Sequence, residues 1–192
     1  MTHEKQKLLI AITGASGMIF VTSFLKVISG LDLCVHGICS ASGREVLRME
    51  QDIRPEELPL VSHWFSYDNL AAPPASGSSD YSSMVVLPCT MGSLGAIAGG
   101  LSLNLIHRAA DVMLKERRRL VLAVRETPFN RTHLKNMLAV HDAGAIICPT
   151  MPSYYLRPET LAEAAETYSW RLADQLGFEI PERRRWSDST KS

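Results

Sequence analysis

A chain of 192 residues, 46% hydrophobic and 21% charged, is long enough to bury a core without a disulfide or metal staple. Twenty basic side chains balance twenty acidic ones, which excludes the basic excess of a nucleic-acid surface and the polybasic patch of a membrane-bound protein. Any anion site must therefore be local.

The four cysteines, Cys34, Cys39, Cys89 and Cys148, form no CxxC pair and lie in or beside apolar runs, as buried reduced thiols do. No apolar stretch is long enough to span a bilayer, and the opening residues do not read as a signal peptide. A cytoplasmic location is expected.

In chain order, Leu8 to Ile12 reads as a short buried strand, followed by the turn Thr13-Gly14-Ala15-Ser16-Gly17 and a helix from about Met18 to Ser29. A glycine-rich turn opening a helix exposes N–H groups suited to a phosphate, although the match to GxGxxG is poor. Leu33 to Cys39 repeats the strand, and Ser40-Ala41-Ser42-Gly43 opens a second helix carrying Glu50, with Ser40 or Ser42 as candidate N-cap. From Gln51 to Asp80 the chain is polar and proline-broken, an excursion with at most a short strand.

Met84 to Leu87 is the next strand, leading into Pro88-Cys89-Thr90-Met91-Gly92-Ser93-Leu94. Cys89 has no nearby histidine to activate it and reads as a buried thiol. A helix from about Leu103 to Arg118 places Arg108 and Lys115 on one face, where they could address a single crevice. The run Leu120 to Val124 reads as a buried parallel strand that delivers Arg125 and Glu126 to its carboxyl end, where open α/β sheets bind ligands. Pro128 biases Thr127 away from helix and holds the pair on a turn. A helix from Thr132 to Ala143, a strand Ala145 to Cys148, a loop through Tyr154 and Tyr155, and a helix from Glu159 to Leu176 complete the pattern. The tail Pro181 to Ser192 carries three arginines and Trp186, and is expected to pack on a neighbouring subunit.

The strand ends thus carry GASG, a serine-rich helix start, PCTMGSL, RETP and PSYY. With RAADVMLKERR from Arg108 to Arg118, this ordered set resembles the UbiX flavin prenyltransferases over about residues 8 to 186. The resemblance implies a single-domain, Rossmann-like, flavodoxin-related α/β three-layer sandwich with a mostly parallel sheet, assembled as a dodecamer with active sites between subunits. It implies transfer of a dimethylallyl group from dimethylallyl monophosphate to N5 and C6 of reduced FMN, without a metal. The product, prenylated FMN, would serve a UbiD-type decarboxylase.

By motif, the resemblance assigns Gly14, Ala15, Ser16, Ser40, Thr90, Arg108 and Arg125 to the flavin, and Lys115, Arg125, Glu126, Tyr155, Arg171 and Trp186 to the prenyl donor. Glu126, Glu50 and Ser16 are the candidate catalytic residues. The chemistry agrees with these types: cations stabilise a departing phosphate, aromatic faces stabilise an allylic cation, and a carboxylate carries a proton. Phe20, Val21 and Leu103 depart from the family pattern, which usually has tyrosine, glycine and aspartate there.

Overall fold

The apolar runs become neighbours in one sheet. The computed structural model describes residues 5–181 and 183–185, and in it six strands pair side by side, all parallel. They are β1 (Gln6–Ile12), β2 (Leu33–Cys39), β3 (Val61–Phe65), β4 (Tyr81–Cys89), β5 (Arg119–Val124) and β6 (Ile146–Ile147). Their order is β3-β2-β1-β4-β5-β6. The chain builds outward from β1 in one direction and then starts again at β4 on its other side, so the carboxyl ends of β1 and β4 flank the topological switch point. This is the order of dinucleotide-binding sheets, not the 2-1-3-4-5 order of flavodoxin, which refines the flavodoxin-related expectation.

Six helices cover the two faces: α1 (Ile19–Val27), α2 (Ala41–Gln51), α3 (Met91–Ala98), α4 (Leu105–Lys115), α5 (Arg131–Asp142) and α6 (Leu161–Leu176). The period-2 geometry of β1 splits its residues between two cores. Leu8, Ile10 and Ile12 pack with Val21, Phe24 and Leu25 of α1 and Tyr168 and Leu172 of α6. Leu9 and Ala11 pack with Leu94 of α3, Ala109 and Met113 of α4 and Val140 of α5. The result is a three-layer sandwich, and burial on both faces explains why β1 and β5 read as unbroken apolar runs.

The last helix is tied to the first by an edge-on Phe20–Tyr168 contact, centroids 5.0 Å apart, and by Ser169 Oγ donating to Ser23 Oγ at 3.0 Å. The Tyr168 hydroxyl donates to the Cys148 carbonyl at 2.8 Å, fixing α6 to the end of β6. Phe20 and Val21 are therefore packing residues. At Leu103, 70% exposed, the helix start survives because the next residue, Asn104, caps α4 by accepting from His107 N at 3.1 Å.

Several expected boundaries move. The expected helix from Leu103 to Arg118 begins at Leu105 and stops at Lys115, and α3 precedes it where none was expected. β4 is longer at both ends because Tyr81 and Ser83 pair with Lys7 and Leu8 and Cys89 pairs with Val124. Among the described residues no helix is long and apolar enough to cross a membrane.

Candidate active site

Register brings the polar strand ends into line. Ile12 pairs with Cys39, which sets Thr13 beside Ser40, and Cys89 pairs with Val124, which sets Thr90 beside Arg125. At the switch point the Thr13 hydroxyl donates to the Pro88 carbonyl at 2.7 Å and accepts from Thr90 N at 2.9 Å, locking β1 to β4. Arg125 N donates to the Cys89 carbonyl at 3.1 Å and continues the seam to β5. Thr13 escaped the sequence reading, where it was only the first residue of a turn.

Three helix starts meet around this seam, and they are not equivalent. The start of α1 is filled by the protein itself: Glu50, from the end of α2, accepts from Gly17 N at 2.9 Å and from Met18 N at 2.7 Å. Gly17 has φ +109°, which only glycine adopts without strain. The expectation that GASG presents open N–H groups to a phosphate is thus corrected, because a carboxylate already occupies that dipole end. Burial alone would raise the Glu50 pKa. The Ser16 hydroxyl, the Met18 and Gly17 N–H groups and the Arg125 charge outweigh it and hold Glu50 below the usual carboxylate range. Glu50 is not an ordinary solvated helix residue.

The starts of α2 and α3 differ. Ser40 is the N-cap of α2, its Oγ accepting from Gly43 N at 2.9 Å, and Thr90 is the N-cap of α3, accepting from Ser93 N at 3.2 Å. The earliest N–H groups of each helix lack an intrahelical acceptor and point outward. Gly14 keeps the first turn close to α2, since a Cβ there would meet the Ser42 side chain at 2.5 Å. Ala15 N closes that turn by donating to the Thr13 carbonyl at 2.9 Å. A Cβ on Gly92 would meet nothing within 4 Å, so space opens directly over the α3 start. Backbone donors, Ser42, Thr90 and Ser93 hydroxyls and an open glycine surface suit a flat phosphorylated ligand such as FMN. Cys89 is fully buried behind them, and burial pushes its thiol up to about 12, which removes it as a nucleophile.

The remaining expected residues are held by contacts of their own. Glu126 is exposed on its turn and accepts from Thr127 N at 2.9 Å. Arg108 is bound to Asp111 at 2.8 Å and to the Ala75 carbonyl at 3.1 Å. Lys115 lies at the far end of α4, paired with Glu116 and next to Gly77, on the side where β4 and β5 begin. Two turns of α4 separate the two cations by about 10 Å along the helix axis. Tyr155 and Arg171 share a separate cavity of about 440 Å³ with Trp170, Asp174 and Arg183 to Arg185. Arg183 forms an ion pair with Asp174, so this part of the tail folds back on α6 of its own chain. Trp186 lies outside the described residues.

Comparisons with known proteins agree with this fold. Residues 1–169 match the Flavoprotein family. A probable UbiX-like flavin prenyltransferase from Bacillus subtilis (strain 168) is 41% identical over 188 residues, spanning 97% of this chain and 92% of the relative. Among solved structures, AnUbiX (PadA1) in complex with FMN and dimethylallyl pyrophosphate has a TM-score of 0.92 at 35% identity, covering 95% of this chain and 98% of the other. A dodecameric FMN-dependent UbiX-like decarboxylase from Escherichia coli O157:H7 has a TM-score of 0.90 at 34% identity, covering 94% and 99%.

Proposed function

The chain belongs to the flavoprotein family and, within it, to the UbiX-type flavin prenyltransferases, and on that premise we propose how its residues divide the work. It is a metal-independent enzyme that joins a dimethylallyl group from dimethylallyl monophosphate to reduced FMN. When bound, reduced FMN supplies the nucleophilic ring positions, N5 and C6.

The α2 start, with Ser40 as cap, takes the FMN phosphate, because the α1 start is already filled by Glu50. Gly14, Ala15, Thr90 and Arg125 frame the rest of the flavin from the strand ends, and Arg108 approaches it from a neighbouring chain. Glu50, held ionised and oriented by Ser16, stabilises positive charge developing on the allylic carbon. Lys115, Arg125, Arg171 and Tyr155 hold the donor phosphate and stabilise the charge it gains on leaving. Glu126 carries a proton to it. Trp186 offers an aromatic face to the dimethylallyl group.

The observation that carries this reading is the contrast within one chain between a finished crevice at Thr13, which Arg125 borders, and Lys115 at the opposite end of the strands. A site of this kind is completed when copies meet, so the chain acts as a homo-oligomer, proposed to be a dodecamer of single-domain protomers, and hands its product to a UbiD-type decarboxylase.

Anaerobic incubation with reduced FMN and dimethylallyl monophosphate, followed by mass spectrometry, tests the reading. A flavin heavier by one dimethylallyl group is expected. Recovery of unmodified FMN alone would leave a non-catalytic FMN carrier in its place.

A further inference from the structure

The amino ends of the strands, opposite the crevice, carry a cluster of reactive groups that prenyl transfer does not use. Parallel register places Cys34 of β2, Lys7 of β1 and Tyr81 of β4 side by side. Two residues further along β2, His36 projects from the same face as Cys34. Its Nε2 lies 3.3 Å from Cys34 Sγ, and its Nδ1 lies 2.6 Å from the Tyr81 hydroxyl. Edge-on contacts with Tyr81, Phe65 and His63, centroids 5.7, 5.6 and 5.8 Å away, hold the plane of the ring. Tyr81 is buried, Cys34 and His36 are partly exposed, and His63 is exposed. Beside them Lys7 pairs with Asp80 at 2.6 Å.

Cys34 therefore departs from the expectation of a buried thiol, and its surroundings differ from those of the other three. Cys39 and Cys89 direct their S–H groups at the Ser40 and Thr90 carbonyls, 3.5 and 3.6 Å away, which cannot take up a proton. Burial pushes both of these thiols up to about 12 and raises that of Cys148. Among the described residues Cys34 is the thiol within hydrogen-bond reach of an imidazole. Burial, then His63 and Lys7, lower the His36 pKa against Asp80, so the ring is uncharged at neutral pH and able to accept a proton. A nucleophile, a base within reach of its proton and a third group that orients the base make up the pattern of an activated thiol. Among the described residues no group of histidine, cysteine and carboxylate side chains converges as metal ligands do.

We propose that Cys34, His36 and Tyr81 form a thiol-exchange site, at which Cys34 reacts with a small disulfide and is converted to a mixed disulfide. With the ring hydrogen of His36 on Nδ1, toward the Tyr81 oxygen, Nε2 receives the Cys34 proton. The thiolate attacks one sulfur of the disulfide. A new S–S bond to Cys34 forms as the old S–S bond breaks with its electron pair on the departing sulfur, and His36 gives the proton to that sulfur. Cys34 is oxidised and the departing half is reduced, so the disulfide is the oxidant.

The probe is hydroxyethyl disulfide, applied to the unmutated oligomer, with peptide mass spectrometry reading each cysteine over time. Cys34 should gain one hydroxyethylthio group roughly tenfold faster, or more, than Cys39, Cys89 or Cys148. Modification of Cys34 no faster than the others, or only after denaturation, overturns the site, and this ranking needs no variant. His36→Gln should slow modification of Cys34 roughly tenfold or more. Its rate should also climb about tenfold per pH unit between about pH 6.5 and 7.5, as an unassisted thiol's does, whereas the unmutated rate should change less than about threefold. Tyr81→Phe keeps the ring contact and removes the bond that orients His36, and should slow Cys34 about threefold or more. An unaltered rate or pH dependence in His36→Gln, or an unaltered rate in Tyr81→Phe, overturns the assignment.

Discussion

Around Thr13 the crevice is held by bonds between parts of the chain distant in sequence: Thr13 to Pro88, Thr90 to Thr13, and Gly17 and Met18 to Glu50. Two of the cations proposed to bind the donor are held by sequence neighbours, Lys115 by Glu116 and Arg171 by Asp174. The first arrangement is part of the fold and cannot be exchanged without disturbing the sheet. The second consists of exposed local ion pairs, which contribute little and are easily traded for another anion. A preorganised crevice and a set of cations ready to change partners are what the proposed two-ligand transfer needs.

The largest expected effect lies where the two regions meet. Glu126→Gln should slow prenyl transfer by roughly 100-fold or more, the usual scale for removing a positioned proton carrier. FMN affinity should stay within a few-fold, since the crevice is built without this side chain. Equal loss of FMN binding and turnover would place Glu126 in the flavin site instead.

Thr13→Val sharpens the contrast from the other side. It removes the donor to Pro88 and the acceptor for Thr90 N, and leaving buried groups unsatisfied should cost about 1–3 kcal/mol in denaturant unfolding and weaken FMN binding. Lys115→Ala should do the reverse. It should raise KM for the donor or lower kcat while leaving the denaturation midpoint in place, because its pair with Glu116 is exposed. A destabilised Lys115→Ala protein with normal kinetics would invert the comparison.

The smallest effect is on pH dependence. His36 is depressed by burial, then by His63 and Lys7, with Asp80 opposing, and His107 is depressed by burial. As pH falls through the ordinary histidine value of 6.5, the unfolded chain takes up these protons before the folded one does, so stability is lost on acidification. Glu50, also depressed, adds a loss in the same direction as pH falls below the ordinary glutamate value of 4.5. Melting temperatures at pH 7.5 and 5.5 should differ less in His36→Gln than in the unmutated protein. An unaltered difference would remove His36 from this account.

Much of the scaffold was legible in the sequence because local chemistry decided it. β2 runs from Leu33 to Cys39 as its apolar pattern indicates, and Ser40 caps the next helix as serines at that position do. Helix α3 was hidden because Gly92 and Gly95 argue against a helix and the segment has no polar face to reveal a period. It forms because Thr90 caps it and because its apolar residues are buried beneath α4 and α5. Glu50 was named as a site residue, yet its bond to the α1 start spans 32 residues and depends on the β1–β2 pairing, which no short pattern contains.

The claim that the reaction site is completed between chains is tested most directly by complementation. Lys115→Ala and Glu126→Gln, each impaired alone, should be co-expressed with different affinity tags, and the doubly tagged hetero-oligomers purified and assayed. If Lys115 and Glu126 of one site come from different chains, random mixing leaves roughly a quarter of the sites with both residues intact, and about that fraction of the unmutated activity should return. Activity no higher than the average of the two variants would show that each chain carries its own complete site, and would contradict the account.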